Sequence, residues 1–312
     1  MSDDTGEMKT WFITGASSGL GQHLALAALR EGHRVIGTGR NVKKAAADNP
    51  EFARLGGQWL ELDLAQTSCQ TVLEDFLRQE GAVTTQGQNP HWVVVNNAGY
   101  TLLGAAEDMS EEQVASYFQA NVFGVIRVWK AFLPLLRCQR RGTLITISSI
   151  WGFASKAEHM MYSAVKATTE SLTESYANLL APFGIQTMII EPGGFRTPFA
   201  SNNIKADGGI SDDYKEKIEA WINMVDSVGK NPTALNGDPV LFGDRVLDAV
   251  QRRGLFSAIF AQHDGGKVLR VQLGSDCYEI FGDKVKDLTT GYAEMSEIAK
   301  STDVGYRPSG QT

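Results

Sequence analysis

The chain has 312 residues, 43% of them hydrophobic and 21% charged, enough to bury one substantial core, and it reads as a single domain over 1–312. Its net charge of −7 comes from acids spread along the chain, with no run of Lys and Arg to track a phosphate backbone, so nucleic acid is not an expected partner. The three cysteines, Cys69, Cys138 and Cys277, lie far apart, the five histidines have no ligand spacing, and no run of about 18 apolar residues occurs. These features exclude a disulfide framework, a metal site and a membrane span, and the expectation is a cytoplasmic protein.

Short β-rich apolar runs recur with helical segments between them: Thr10 to Ile13, Arg34 to Thr38, Gln58 to Leu62, Trp92 to Val95, Thr143 to Ile147, Thr187 to Ile190 and Val268 to Leu273. Alternation of this kind predicts βαβ units, and the continuously apolar runs predict strands covered on both faces. The expected fold class is α/β, a Rossmann-type doubly wound parallel sheet of about seven strands. Two stretches break the rhythm. Residues 79–91 are expected as a surface loop, and residues 199–239 as an insertion after the sixth strand, a lid over the substrate. In that insertion Tyr214, Ile218, Trp221 and Val225 follow a four, three, four spacing that predicts one helix face. The polar tail after Gly291 is expected to fray.

Directly after the first strand comes Thr14-Gly15-Ala16-Ser17-Ser18-Gly19-Leu20-Gly21, followed by a helical run from Gln22. Glycines at these positions permit a tight turn and let the backbone approach a pyrophosphate, while the helix N-terminus offers free N–H groups to the anion. The residues also spell G-x-S-x-G, the elbow of serine hydrolases, with Ser17 as nucleophile and His263 as the base it would need. Against that reading, Ser17 follows only the first strand, and the motifs further on have no part in it.

Those motifs are Asn96-Asn97-Ala98-Gly99, Asn121, Ser149, Tyr162-x-x-x-Lys166, and Pro192-Gly193 followed by Thr197. With the glycine turn, and in this order, the chain from about 8 to 198 resembles the short-chain dehydrogenase/reductase family. Gly237-Asp238-Pro239 and Leu273-Gly274-Ser275-Asp276 further resemble its retinol- and ketone-reducing branch. The resemblance implies a bound nicotinamide nucleotide held by Gly15, Ser17, Ser18, Gly19, Leu20 and Gly21 in the turn, by Asp63 at the adenine, and by Asn97, Ala98 and Gly99. Tyr162 and Lys166 would also touch it, with Pro192, Gly193, Phe195 and Thr197 at the carboxamide. It also implies pairing into a homodimer or homotetramer through the helices after Asn97 and after Tyr162.

An NAD enzyme of this architecture needs a carboxylate at the end of the second strand for the ribose 2′-OH. That strand ends Gly37-Thr38-Gly39-Arg40. Gly39 leaves room for a 2′-phosphate and Arg40 can pair with it, so the expected cofactor is NADP(H).

Tyr162 and Lys166 project from one face of a helix expected over Ser163 to Leu180, and a close ammonium favours the phenolate. Ser149 would polarise the same carbonyl oxygen. By resemblance, Asn121 holds a water that links Lys166 to solvent. The expected activity is hydride transfer between NADP(H) and the carbonyl or secondary alcohol of a small hydrophobic molecule, more as a ketone or aldehyde reductase. Trp151, Phe153, Met160 and Met161 are the candidate substrate wall, with ordinary core as their other reading. A regulatory protein that binds the cofactor without turnover is the alternative from another class.

Overall fold

The computed structural model describes residues 7–81, 90–262 and 269–306. Seven strands form one sheet: β1 (Lys9–Ile13), β2 (Arg34–Gly39), β3 (Gln58–Glu61), β4 (His91–Asn96), β5 (Gly142–Ile147), β6 (Ile185–Pro192) and β7 (Leu269–Leu273). Their order is β3-β2-β1-β4-β5-β6-β7, and every pairing is parallel. The expected α/β doubly wound sheet is thus present, with strand ends within a few residues of the apolar runs. Val268, the expected start of the last strand, lies outside the described residues.

Because side chains alternate along a strand, a doubly covered sheet must be apolar at every position. Trp11, Ile13, Val93 and Val95 join one core with helices α1 (Gly19–Arg30) and α7 (Pro239–Val250). Phe12, Trp92, Val94 and Leu144 join the other with α2 (Cys69–Gln79) and α4 (Gly124–Gln139). Each of these side chains is essentially without solvent exposure, a burial worth roughly 1.5–3 kcal/mol for each aliphatic or Phe side chain.

The other named helices are α3 (Glu111–Phe118), α5 (Met160–Leu180), α6 (Lys215–Lys230) and α8 (Ser275–Glu294). Between α3 and α4 the chain forms one π turn, Gln119–Phe123. The tail does not fray where expected: α8 runs on to Glu294, and a further turn of helix covers Ser296–Lys300. Residues 82–89 of the expected loop, and the last six residues, lie outside the described ones.

The insertion after β6 carries α6 and a two-residue strand, Ile204–Lys205, which pairs with Leu102–Leu103. The expected helix face is shifted. Tyr214 precedes the helix at its N-cap and is 43% exposed. The buried stripe is Ile218, Ile222 and Val225, which pack on Leu103 and Ala105, with Trp221 partly buried beside them. Among the described residues no helix is long and apolar enough to cross a membrane, and no group of acids, histidines and cysteines is placed to hold a metal.

Candidate active site

The carboxyl ends of β1, β4, β5 and β6 converge on one edge of the sheet, the edge at which open α/β sheets bind ligands. Thr14 ties two of the motifs together there. Its hydroxyl accepts from Asn97 N at 2.9 Å and Ala98 N at 3.0 Å, and Asn97 Nδ2 donates to the carbonyls of Thr14 at 2.9 Å and Gly15 at 3.1 Å. Gly15 has φ +66°, and a Cβ on it would sit 2.8 Å from Ala98 Cα. Any side chain at residue 15 would push these two segments apart.

Thr38 fixes the other side of the turn, accepting from Gly15 N at 3.3 Å through its hydroxyl and from Ala16 N at 3.1 Å through its carbonyl. Buried Asn49 donates to the Ser17 carbonyl at 3.0 Å. Thr38 and Asn49 escape sequence reasoning because they stand outside the motif they brace. The N-cap of α1, Ser18, is extended and makes no side-chain cap, so the first turn presents uncapped N–H groups to the cleft, as an anion site requires.

The remaining candidate residues line the same edge. Pro192 ends β6. Gly193 N donates to Leu273 O at 2.9 Å, and Asp276, at the start of α8, accepts from Gly194 N at 2.7 Å. Phe195 bridges Gly237 and stacks its edge on Phe242. Thr197 stands across the cleft from the glycine turn, with its Cβ 3.6 Å from where a Cβ of Gly19 would lie. Arg40 is exposed just beyond β2. Asp63 accepts from Ala65 N at 3.0 Å, and both Arg40 and Asp63 act electrostatically on the Tyr100 phenol.

The structure brings Asn121, Ser149, Tyr162 and Lys166 together. Ser149 caps the short helix Ile150–Phe153, accepting from Trp151 N at 3.3 Å, and its hydroxyl acts on the Tyr162 phenol. Tyr162 and Lys166 are both buried, and Lys166 Nζ lies 5.8 Å from the Tyr162 ring centre and donates to Ile147 O at 2.8 Å. Asn121 sits in the π turn, where the wider backbone lets its Nδ2 donate to Tyr117 O at 2.9 Å. Its Oδ1 and Lys166 Nζ both approach Gly99, at 3.2 and 3.6 Å from a Cβ built there. The helix carrying the pair starts at Met160 rather than Ser163.

Spacing alone suggests that Lys166 depresses the phenol, and the structure corrects this. Burial pushes Tyr162 up to about 12, against the pull of the Ser149 hydrogen bond, and Glu170 pushes it further up. Burial also lowers Lys166 to about 8, with Glu170 opposing the drop. At neutral pH the phenol is protonated and the amine charged.

A chain of aromatic rings runs through Tyr162. Its ring meets His159 at 5.4 Å and Phe199 at 6.0 Å, His159 meets Trp221 at 5.3 Å, and Trp221 meets Trp151 at 6.4 Å. Lys156 Nζ lies 4.3 Å over Trp221. His159 is buried, burial lowers it to about 4, and neither ring nitrogen has a partner among the described residues. Of the expected wall residues, Trp151 belongs to this chain of rings. Phe153 instead stacks on Phe281 at 4.2 Å, Met161 packs with Leu102 and Tyr117, and Met160 is exposed. His159 and Phe199 were not legible as site residues. One looks like any isolated histidine, and the other reaches Tyr162 only through the turn after Thr197.

The serine-hydrolase reading finds no support in this geometry. His33 is engaged with Lys9 and Gln251, His91 with Thr143, and His159 lies against Tyr162. His263, the base it would need, lies outside the described residues.

Residues 9–208 match the family model described as short chain dehydrogenase. The chain is 39% identical to oxidoreductase claN of Passalora fulva over 193 residues, 62% of this chain and 84% of that protein. It is 29% identical to human retinol dehydrogenase 8 over 80% of this chain and 73% of that one. A short-chain dehydrogenase from Streptomyces avermitilis superposes with a TM-score of 0.76 at 30% identity, covering 97% of this chain and all of that one.

Proposed function

The chain belongs to the short-chain dehydrogenase family, and from that premise we propose that it transfers hydride between NADP(H) and the carbonyl or secondary alcohol of a small hydrophobic molecule, working mainly as a ketone or aldehyde reductase. The observation that carries this reading is the buried Tyr162, beside Ser149 and backed by Lys166 on the next helical turn, at the edge of the sheet where the glycine turn opens.

The residues present fit a dinucleotide. Uncapped N–H groups of α1 and the turn Gly15, Ser17, Ser18, Gly19, Leu20 and Gly21 suit the pyrophosphate, and glycine at 15 lets that turn close against Ala98. Asp63, Asn97, Ala98 and Gly99 would line the adenosine side and the middle of the molecule, with Pro192, Gly193, Phe195 and Thr197 at the carboxamide. When bound, the reduced nicotinamide supplies hydride to the carbonyl carbon. Ser149 orients and polarises the carbonyl oxygen. Tyr162, protonated at neutral pH, donates its proton to that oxygen, and the Lys166 ammonium stabilises the phenolate left behind. Asn121, beside Lys166, would hold the water that returns a proton.

NADP(H) over NAD(H) rests on Gly39 and Arg40. Glycine at 39 puts no carboxylate at the end of β2 for the ribose 2′-OH, the atoms nearest a Cβ built there belong to Ser17 and Ala45 at 3.6 Å or more, and exposed Arg40 would turn to a 2′-phosphate. The ring chain around Tyr162 favours flat or ring-containing carbonyl substrates. His159, neutral and with neither ring nitrogen partnered among the described residues, would hydrogen-bond a second polar group on them. The reading is tested by NADPH consumption over a panel of ring ketones and aldehydes, with NADH in parallel. Loss of NADPH with stoichiometric alcohol supports it, and no turnover of any carbonyl with either cofactor contradicts it.

In this reading α6 is a substrate lid, anchored by Ile218, Ile222 and Val225 while Trp221 turns toward His159. Trp221→Ala should therefore raise KM for a ring ketone by about tenfold, with NADPH affinity and melting temperature nearly unchanged. If Trp221 is instead core, its truncation should cost about 3–5 kcal/mol of stability at an unaltered KM. Thermal melts beside steady-state kinetics separate the two.

A further inference from the structure

Behind the tyrosine and lysine lies a cluster of buried charges that the reaction as described does not use. Glu170 follows Lys166 by one turn of α5 and is 3% exposed. One of its oxygens accepts from the Ser148 hydroxyl, and the other is 2.9 Å from Arg270 Nη1 on β7. The same nitrogen is 2.6 Å from Glu191 on β6, a carboxylate with no exposure at all, which Gln272 also serves. Residue 152 must be glycine for this arrangement, since a Cβ there would collide with both the Glu170 carboxylate and the Ser148 hydroxyl.

Lys166 and Arg270 are the cations of this cluster and Glu170 and Glu191 its buried acids, with the more exposed Glu174 also on Arg270. Burying an ammonium is costly unless a counter-charge stands close by. Lys166 has the Ile147 carbonyl as its hydrogen-bond partner, and Glu170 is the anion that acts on it. Ser148, held by Glu170, immediately precedes Ser149.

We propose that Glu170 is a positioning residue for the reaction: from inside the fold its carboxylate, one helical turn beyond Lys166 and bonded to the Ser148 hydroxyl, holds the Lys166 turn of α5 and the Ser148–Ser149 end of β5 in register with Tyr162. The inference rests on the oxidoreductase reading for its kinetic consequence, but not for its effect on Lys166. The groups facing Glu170 are Lys166, Tyr162 and Glu174 on its own helix, Arg270 on β7, Glu191 on β6 and the Cys277 thiol on α8. The anion stabilises the protonated form of both Lys166 and Tyr162, opposing the fall of the first and adding to the rise of the second. Removing it lowers both pKa values. Reduction needs both groups protonated, so the alkaline limb of the rate profile must move to lower pH.

Glu170→Gln should therefore shift the alkaline limb of kcat/KM for carbonyl reduction down by about one pH unit, with the plateau below it largely kept. Nitrogen-labelled lysine NMR of the protein without cofactor should show the Lys166 ammonium titrating lower by a similar amount. Glu174→Gln removes an exposed carboxylate on the same guanidinium, 3.3 Å away, and should move neither. If Glu170→Gln fails to fold, Glu170→Asp, with its carboxylate drawn back by one methylene, should give a smaller shift in the same direction. A merely structural role would lower the plateau and leave the limb and the Lys166 titration in place, which overturns the proposal. If no carbonyl is reduced at all, the oxidoreductase reading fails. The NMR titration still decides whether Glu170 sets the charge of Lys166.

Discussion

Replacing Tyr162 with Phe should cut carbonyl reduction by about a hundredfold or more while leaving NADPH binding almost unchanged. The ring contacts at His159 and Phe199 survive the change, so the fold around residue 162 keeps its packing. The hydroxyl is lost, and with it the proton that the substrate oxygen receives. General acid catalysis by a positioned group contributes typically 10²–10⁴-fold, on the order of 3–5 kcal/mol of barrier. The loss should fall on kcat and kcat/KM alike, since the interaction is made in the transition state. Steady-state kinetics with a fluorescence titration of NADPH checks both halves, and a variant that keeps half its activity would remove Tyr162 from the role of acid.

The second large effect is on cofactor choice. Gly39→Asp should reduce the preference for NADPH over NADH by about a hundredfold, or roughly 2.7 kcal/mol. The backbone at Gly39 has ordinary van der Waals room for a Cβ against Ser17 and Ala45, so the substitution adds a charge without rebuilding the turn. That charge would repel the 2′-phosphate of NADPH and accept hydrogen bonds from the ribose hydroxyls of NADH. Direct binding titrations of both cofactors on both proteins measure the change. A native protein that already binds NADH more tightly would show that Gly39 and Arg40 do not select the phosphate.

The sheet was legible because its strands are covered on both faces: a run such as Trp92 to Val95 has no polar position to mislead. The four residues of the tetrad were legible because their order and spacing are those of the family. What escaped depends on contacts between distant segments. The Leu102–Leu103 and Ile204–Lys205 ribbon is too short to leave a pattern. The π turn that aims Asn121 looks like continuous helix. A spacing of four, three and four placed Tyr214 on the buried face of α6, yet that helix begins one residue later and its stripe passes through Ile222 instead. Phe153 looked like substrate wall and found Phe281, more than a hundred residues away. Glu170, Glu191 and Arg270 carry no sequence pattern, and only the meeting of α5, β6 and β7 brings the two carboxylates onto one guanidinium. The direction of the Tyr162 shift was misread for the same reason: sequence displays the neighbouring charge but not the depth of burial.

The central claim is that the cleft at Tyr162 passes hydride from a reduced nicotinamide to a carbonyl carbon. It is tested most directly by a single turnover with NADPH deuterated at the transferring position of the nicotinamide and a ring ketone in excess. The account predicts that the deuterium appears on the carbinol carbon of the product alcohol, one equivalent per cofactor oxidised. The same experiment with the Tyr162→Phe protein should show the cofactor bound but the transfer slowed by about a hundredfold or more. Tight NADPH binding with no deuterium in any product across the carbonyl panel would contradict the account and leave a cofactor-binding protein without turnover.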